Sequence, residues 1–109
     1  MLSEFNSEHW LDADGNPAGG VSDARGITVS WQNGPLGRDD ERREPNGAFV
    51  ETLIAMTKDR LEFYQTACDG KFWCEENRDA IDDLNNALYV LNRRTEAREA
   101  RRVEGTHEA

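Results

Sequence analysis

Two apolar rows at helical spacing, separated by one strong break, constrain this chain more than any other feature. Between residues 47 and 67, Phe49, Val50, Leu53, Ile54, Leu61 and Tyr64 recur at the steps of one helix face. Asp69-Gly70 stops that pattern. From about Cys74 to Arg102 a second row follows, Ile81, Leu84, Leu88 and Leu91, in steps of three, four and three. A period close to 3.5 belongs to a helix lying along another helix. The short link between the rows makes an antiparallel helical hairpin the expected arrangement. Asn46 stands where the first helix needs an N-cap. Glu75 and Glu76 favour the first turn of the second.

Ahead of the hairpin the period changes. The run from Gly26 to Gln32 alternates and is β-branched, so it reads as a short strand that ends at Asn33-Gly34-Pro35. Residues 1–24 are rich in turn signals, Asp14-Gly15-Asn16-Pro17 and Gly19-Gly20. Residues 37–45 are charged and read as a flexible connection. The expected fold class is α+β: a small N-terminal β element of short antiparallel strands, then a two-helix antiparallel hairpin. The expected division is a β and turn region over 1–45 and a hairpin with its tail over 46–109, one structural domain overall. With 37% hydrophobic and 32% charged residues in 109 positions, one copy buries only a modest core. Chains of this size and composition often need partners, so an oligomer is expected.

Charge and chemistry remove several function classes. A net charge of −9 argues against nonspecific DNA binding and against anionic membranes. No apolar stretch approaches membrane-spanning length, and the N-terminus does not read as an export signal. Cys68 and Cys74 flank the predicted turn. They are expected as reduced thiols, the alternative being a disulfide across the turn. Asp12, Asp14 and Asn16 resemble the opening of a calcium loop, but Pro17 and Asp23 stand where such a loop needs glycine and glutamate. Neither His9 nor His107 sits in a partnered context, and no nucleophile has an adjacent base. No enzyme activity, metal or cofactor is expected.

What remains is two dense polar words. The first is Trp31-Gln32-Asn33-Gly34-Pro35-Leu36-Gly37-Arg38, whose indole, two amides and exposed backbone suit an adenine or ribose. The competing explanation is a strand end with a structural turn. The second runs from Arg94 to His107. Five of the thirteen basic residues, Arg93, Arg94, Arg98, Arg101 and Arg102, fall within ten positions. Guanidinium forks match phosphate oxygens. Arginines also favour helix C-termini and pair with neighbours such as Glu96 and Glu99. Phe72 and Trp73, in the interhelical turn, could stack on a base or form a small core beneath the loop.

The second apolar row continues into polar residues at both ends, Asn77 on one side and Thr95, Arg98 and Arg102 on the other. Fraying explains this; so does a row whose ends line ligand pockets. Asn77 and Arg94 are seventeen residues apart, about 25 Å on a helix. If both touch one small nucleotide, a second subunit must complete the site.

Five stretches together carry a resemblance. They are Trp31 to Arg38, Asn46 to Glu51, Arg60 to Gln65, Cys74-Glu75-Glu76-Asn77, and Arg94-Thr95-x-x-Arg98-Glu99-x-Arg101-x-Val103-Glu104-Gly105-Thr106-His107. They are similar to the Thoeris anti-defence protein 1 family of phages over residues 19–107. The last stretch is shared with related anti-CBASS nucleotide sponges, whereas Gln-Asn-Gly-Pro narrows the likeness to the Thoeris family. The resemblance implies a protein that binds and sequesters cyclic ADP-ribose isomers (gcADPR) made by TIR-domain defence enzymes, without cleaving them, in the cytoplasm of the infected bacterial host. It implies dimers assembled to a hexamer. It implies a first pocket of Gln32, Asn33, Gly34 and Pro35, completed across the dimer by Asn77 and Arg94, with Phe72 or Trp73 stacked on adenine. A second pocket, which in some members holds cyclic di- or trinucleotides, would use Thr95, Arg98 and Thr106. Arg102 stands where the family more often has glycine.

A reading from a different class rests on the charge and size alone: an acidic protein-level antagonist or DNA mimic that binds a host protein. It predicts salt-sensitive binding to a basic protein and indifference to Arg94→Ala.

Overall fold

A computed structural model describes residues 1–101 and 105–108 of the chain. Arg102, Val103 and Glu104, on which part of the arginine-rich reading falls, lie outside the described residues, as does Ala109. The fold is α+β: three antiparallel strands, a short 3₁₀ turn at Asp39–Glu41, and two long helices. Contacts divide the chain into two compact units, Met1–Phe49 with Arg98–Ala109, and Val50–Ala97.

In the first unit, β1 (Phe5–Leu11), β2 (Pro17–Ala24) and β3 (Ile27–Trp31) form a sheet in sequence order. The region 1–24, read from sequence as turn-rich, therefore holds two strands. Asp14-Gly15-Asn16 does turn the chain, between β1 and β2. The Asp12 carboxylate accepts the main-chain N–H of Asp14 at 2.9 Å and of Asn16 at 3.0 Å. The bond from Asn16, with that from Asp14 and the nearby His107 charge, outweighs desolvation and holds the Asp12 carboxyl below its ordinary value.

Gly19-Gly20, expected as a turn, lies inside β2. Gly20 pairs with His9, where the β1–β2 ladder slips between His9 and Leu11. Its φ is +148°, and a Cβ there would run into the Glu8 carbonyl. The glycine serves a close strand approach rather than a reversal. Opposite Gly20 on β3 stands Trp31. Its indole Nε1 donates to Ser22 Oγ at 2.8 Å, and Ser22 Oγ shares a 2.7 Å hydrogen bond with Ser7 Oγ. Among the described residues Val29 is the one buried hydrophobic side chain.

β3 does not end cleanly at Trp31. Gln32 N–H donates to Ala48 at 3.0 Å, and Ala48 N–H donates to Ser30 at 2.8 Å, a short parallel pairing. The structure therefore corrects the expected helix start. Residues 46–48 are drawn onto the sheet, Asn46 caps nothing, and the first helix begins at Val50.

The second unit holds α1 (Val50–Gly70) and most of α2 (Glu75–Ala100). α1 leaves right-handed geometry at Ala67, and Cys68 and Asp69 adopt left-handed backbone angles. This is where the sequence break was read. Gln65 secures the link. Its amide oxygen accepts Cys74 N–H at 3.0 Å, and its amide nitrogen donates to Cys74 C=O at 2.9 Å. Arg94, late in α2, reaches Glu51, early in α1, at 3.7 Å, so the helices run antiparallel. Leu53, Ile54 and Leu61 on α1, and Ile81, Leu84, Leu88 and Leu91 on α2, are only half-buried. Met56, Phe63, Tyr89 and Val90 are exposed. No described helix is long and apolar enough to cross a membrane.

Candidate functional site

The first polar word is held in shape by its own side chains. Gln32 Oε1 accepts the main-chain N–H of Asn46 at 2.9 Å and of Gly47 at 3.2 Å. Gln32 Nε2 donates to Gly34 C=O at 3.2 Å. Asn46 completes the clamp: its Oδ1 accepts Asn33 N–H at 2.8 Å and its Nδ2 donates to Asn33 C=O at 3.0 Å. Arg43 donates from its guanidinium to Pro35 C=O at 3.3 Å, and its own N–H donates to Leu36 C=O at 2.7 Å. Gln32 and Asn46 thus spend their amides on the backbone.

The second polar word returns to the first. Gly37 N–H donates to Gly105 C=O at 2.9 Å. Gly105 has φ +80°, and a Cβ on it would strike the Gly37 carbonyl, so only glycine permits this approach. Arg38 pairs with Glu99 at 3.5 Å. Arg98 Nη1 donates to Glu108 C=O at 2.6 Å, and Nη2 donates to Thr106 C=O at 3.0 Å.

Between the two words lies an open cleft of about 310 Å³, lined by Asn16, Pro17, Gln32, Gly34, Pro35, Arg98, Thr106, His107 and Glu108. All nine belong to the first unit. The volume falls at the lower end of small-ligand sites. The walls offer a guanidinium, an imidazole, a hydroxyl and a carboxamide beside apolar proline faces, with one acidic residue, Glu108, among them. Those groups fit a ligand with anionic, hydroxylated and flat parts. A separate cleft of about 350 Å³ runs along the sheet past Met1, Leu2, Phe5, Ile27 and Val29. Its walls are mostly apolar, with Arg25 beside Asp23.

The residues expected in the first and second pockets are distributed as follows. Gln32, Gly34 and Pro35 share the cleft with Arg98 and Thr106. Asn33 sits on the clamp, exposed. Asn77, Phe72, Trp73, Arg94 and Thr95 belong to the second unit. Phe72 and Trp73 are 56% and 50% exposed, with Lys71 over the Phe72 ring at 5.4 Å. Thr95 donates its hydroxyl to Leu91 C=O at 3.3 Å. The cleft also takes in Asn16, Pro17, His107 and Glu108, which the sequence assigns to neither pocket. The Asn16-Pro17 turn was visible, but nothing local says that it faces the C-terminal word. Among the described residues no cluster of His, Cys, Asp and Glu could hold a metal ion.

No model of a known protein family matches the chain. The chain is, however, 46% identical over 81 residues to Thoeris anti-defense 1 of Bacillus phage SBSphiJ7. The match covers 74% of this chain and 52% of that relative. The chain belongs to the Thoeris anti-defense 1 family. It spans about half the length of the curated relative it matches. In this member of the Thoeris anti-defense 1 family, the cleft between the two polar words is lined by residues between Asn16 and Pro35 and by residues between Arg98 and Glu108.

Proposed function

We propose that the protein is a phage anti-defence sponge, which binds and sequesters cyclic ADP-ribose isomers of the Thoeris system without cleaving them. The observation that carries this reading is the cleft that unites Gln32, Gly34 and Pro35 with Arg98, Thr106 and His107. The cleft sets hydroxyl, imidazole and carboxamide groups beside apolar proline faces, with the Arg98 charge close by, a lining that suits a hydroxylated, pyrophosphate-bearing nucleotide. Membership of the anti-defense family supports the biological setting, which is the cytoplasm of the infected host.

The first pocket uses Gln32, Asn33, Gly34 and Pro35, with Phe72 or Trp73 as the stacking surface and Asn77 and Arg94 supplied across a dimer. Asn77 and Arg94 stand about 25 Å apart on one α2, so a single small ligand reaches both only between subunits. The second pocket, for cyclic di- or trinucleotides, uses Thr95, Arg98 and Thr106. Dimers assembled to a hexamer cover the apolar side chains that each unit leaves exposed, among them Met56, Phe63 and Tyr89.

The test is direct. The protein is mixed with a cyclic ADP-ribose isomer made by a TIR enzyme, free ligand is removed, and the protein is denatured. Intact nucleotide in stoichiometric amount supports sequestration. Converted products in the supernatant would make it an enzyme, and no retention at micromolar concentration would remove the proposal. Thermal shifts across cyclic ADP-ribose isomers, cyclic dinucleotides and cyclic trinucleotides would rank the ligands, since a ligand of the folded state raises stability.

A further inference from the structure

An arginine in a nucleotide cleft is ordinarily read as a phosphate ligand. The hydrogen bonds of Arg98 point elsewhere. Its two terminal nitrogens donate to separate main-chain carbonyls, Glu108 at 2.6 Å and Thr106 at 3.0 Å. The same tail is fixed from the other side by Gly37 N–H on Gly105 C=O at 2.9 Å. Within it, Glu108 N–H donates to Thr106 Oγ at 3.2 Å. The tail thus leaves α2, is held at Gly105 by the first polar word, and is held at 106 and 108 by the last turn of its own helix. Thr106 and His107 become cleft wall between those attachments.

We propose that Arg98 is a positioning residue: it clasps residues 106–108 against the end of α2, so that the Thr106 and His107 side chains present the cleft's C-terminal wall to the ligand. This deepens the sponge reading and rests on it for the ligand. The planar fork gives one terminal nitrogen to each of the two carbonyls. A lysine ammonium keeps the charge but is a compact point donor on a flexible stem, without the planar fork. A direct phosphate contact tolerates that change far better, because lysine also binds phosphate.

The test is a double-mutant cycle on the full-length protein. The probes are a TIR-made cyclic ADP-ribose isomer and cyclic triadenylate, each titrated by calorimetry. Arg98→Ala is expected to weaken binding by tenfold or more, and Arg98→Lys by nearly as much. Thr106→Ala with His107→Ala is expected to weaken it similarly. With those two side chains removed, adding Arg98→Ala should change affinity by less than twofold, because the wall it positions no longer carries the contacts. Full additivity, or rescue by Arg98→Lys, would mean direct ligand contact and overturn the proposal. Amide exchange at Glu108 without ligand gives an independent reading. Arg98→Ala should deprotect the Glu108 amide, whose N–H is bonded to Thr106 Oγ, while α2 between residues 75 and 95 keeps its protection. Unchanged exchange at Glu108 overturns the clasp. If neither probe binds the wild-type protein, the sponge reading fails, and the exchange measurement still decides the clasp.

Discussion

Replacing Gln32 with alanine tests how the first polar word works. The side chain accepts Asn46 and Gly47 N–H, and donates to Gly34 C=O at 3.2 Å and, at 3.5 Å, to Asn33 C=O. Each neutral hydrogen bond contributes about 0.5–1.5 kcal/mol net. The losses are unequal. Asn46 is exposed, so water replaces the amide oxygen there at little cost. Gly47 is half-buried against Trp31, and an unpaired N–H in such a place costs about 1–3 kcal/mol. The expected total is about 2 kcal/mol. In a domain of this size that lowers the melting temperature by roughly 8–16 °C, read by thermal unfolding at one fixed protein concentration. Gln32→Glu separates the two ends of the amide. It keeps both acceptor bonds, loses the donor, and sets a carboxylate beside the Gly34 carbonyl. The expected loss is about 1 kcal/mol at neutral pH, shrinking as the pH falls below about 4.3 and the acid proton restores a donor. A Gln32→Ala protein within about 0.3 kcal/mol of wild type, with Gly47 amide exchange unchanged, would refute the clamp.

Three further outcomes are expected. Arg94→Ala should leave stability within about 1 kcal/mol, because its 3.7 Å pair with Glu51 is solvent-exposed. The same change should weaken cyclic ADP-ribose binding by about 10- to 150-fold, the loss of a charged partner; calorimetry and thermal unfolding together would expose the opposite pattern. Gly20→Ala should cost about 2 kcal/mol or more, since it adds a Cβ against the Glu8 carbonyl at φ +148°. Gly15, at φ +82° with open space around it, should accept asparagine almost neutrally; equal melting temperatures for the two variants would contradict the close-approach argument. Finally, the folded-state pKa of Asp12 is depressed. Its contribution is therefore present above the unfolded value near 3.8 and is lost as pH falls through the lower folded value. Amide exchange at Asp14 and Asn16 should quicken across that acid range, and Asp12→Asn should abolish the pH dependence.

The sequence alone determined what depends on neighbours three or four positions away. The two helices, the break between them at Asp69-Gly70, the strand that follows Gly26 and the turn at Asp14-Gly15-Asn16 all follow from local period and turn chemistry. The motif words also placed the chain in its family, which the 46% identity shows. Tertiary structure decided whatever depends on pairing between distant segments. Asn46 is a good helix cap by type, yet β3 draws residues 46–48 into parallel pairing and turns its amide onto Asn33, thirteen residues back. Gly19-Gly20 looks like a turn, yet strand approach uses Gly20 for its missing Cβ. Read along the chain, Arg98 looks like a phosphate ligand. The fold turns it onto Thr106 and Glu108 carbonyls, because an uncapped tail carries main-chain acceptors that a guanidinium fork can hold together. Both polar words stand out in the sequence itself. That they meet in one cleft within the first unit follows from the backbone bond between Gly37 and Gly105, 68 residues apart, a partnership that no local pattern encodes.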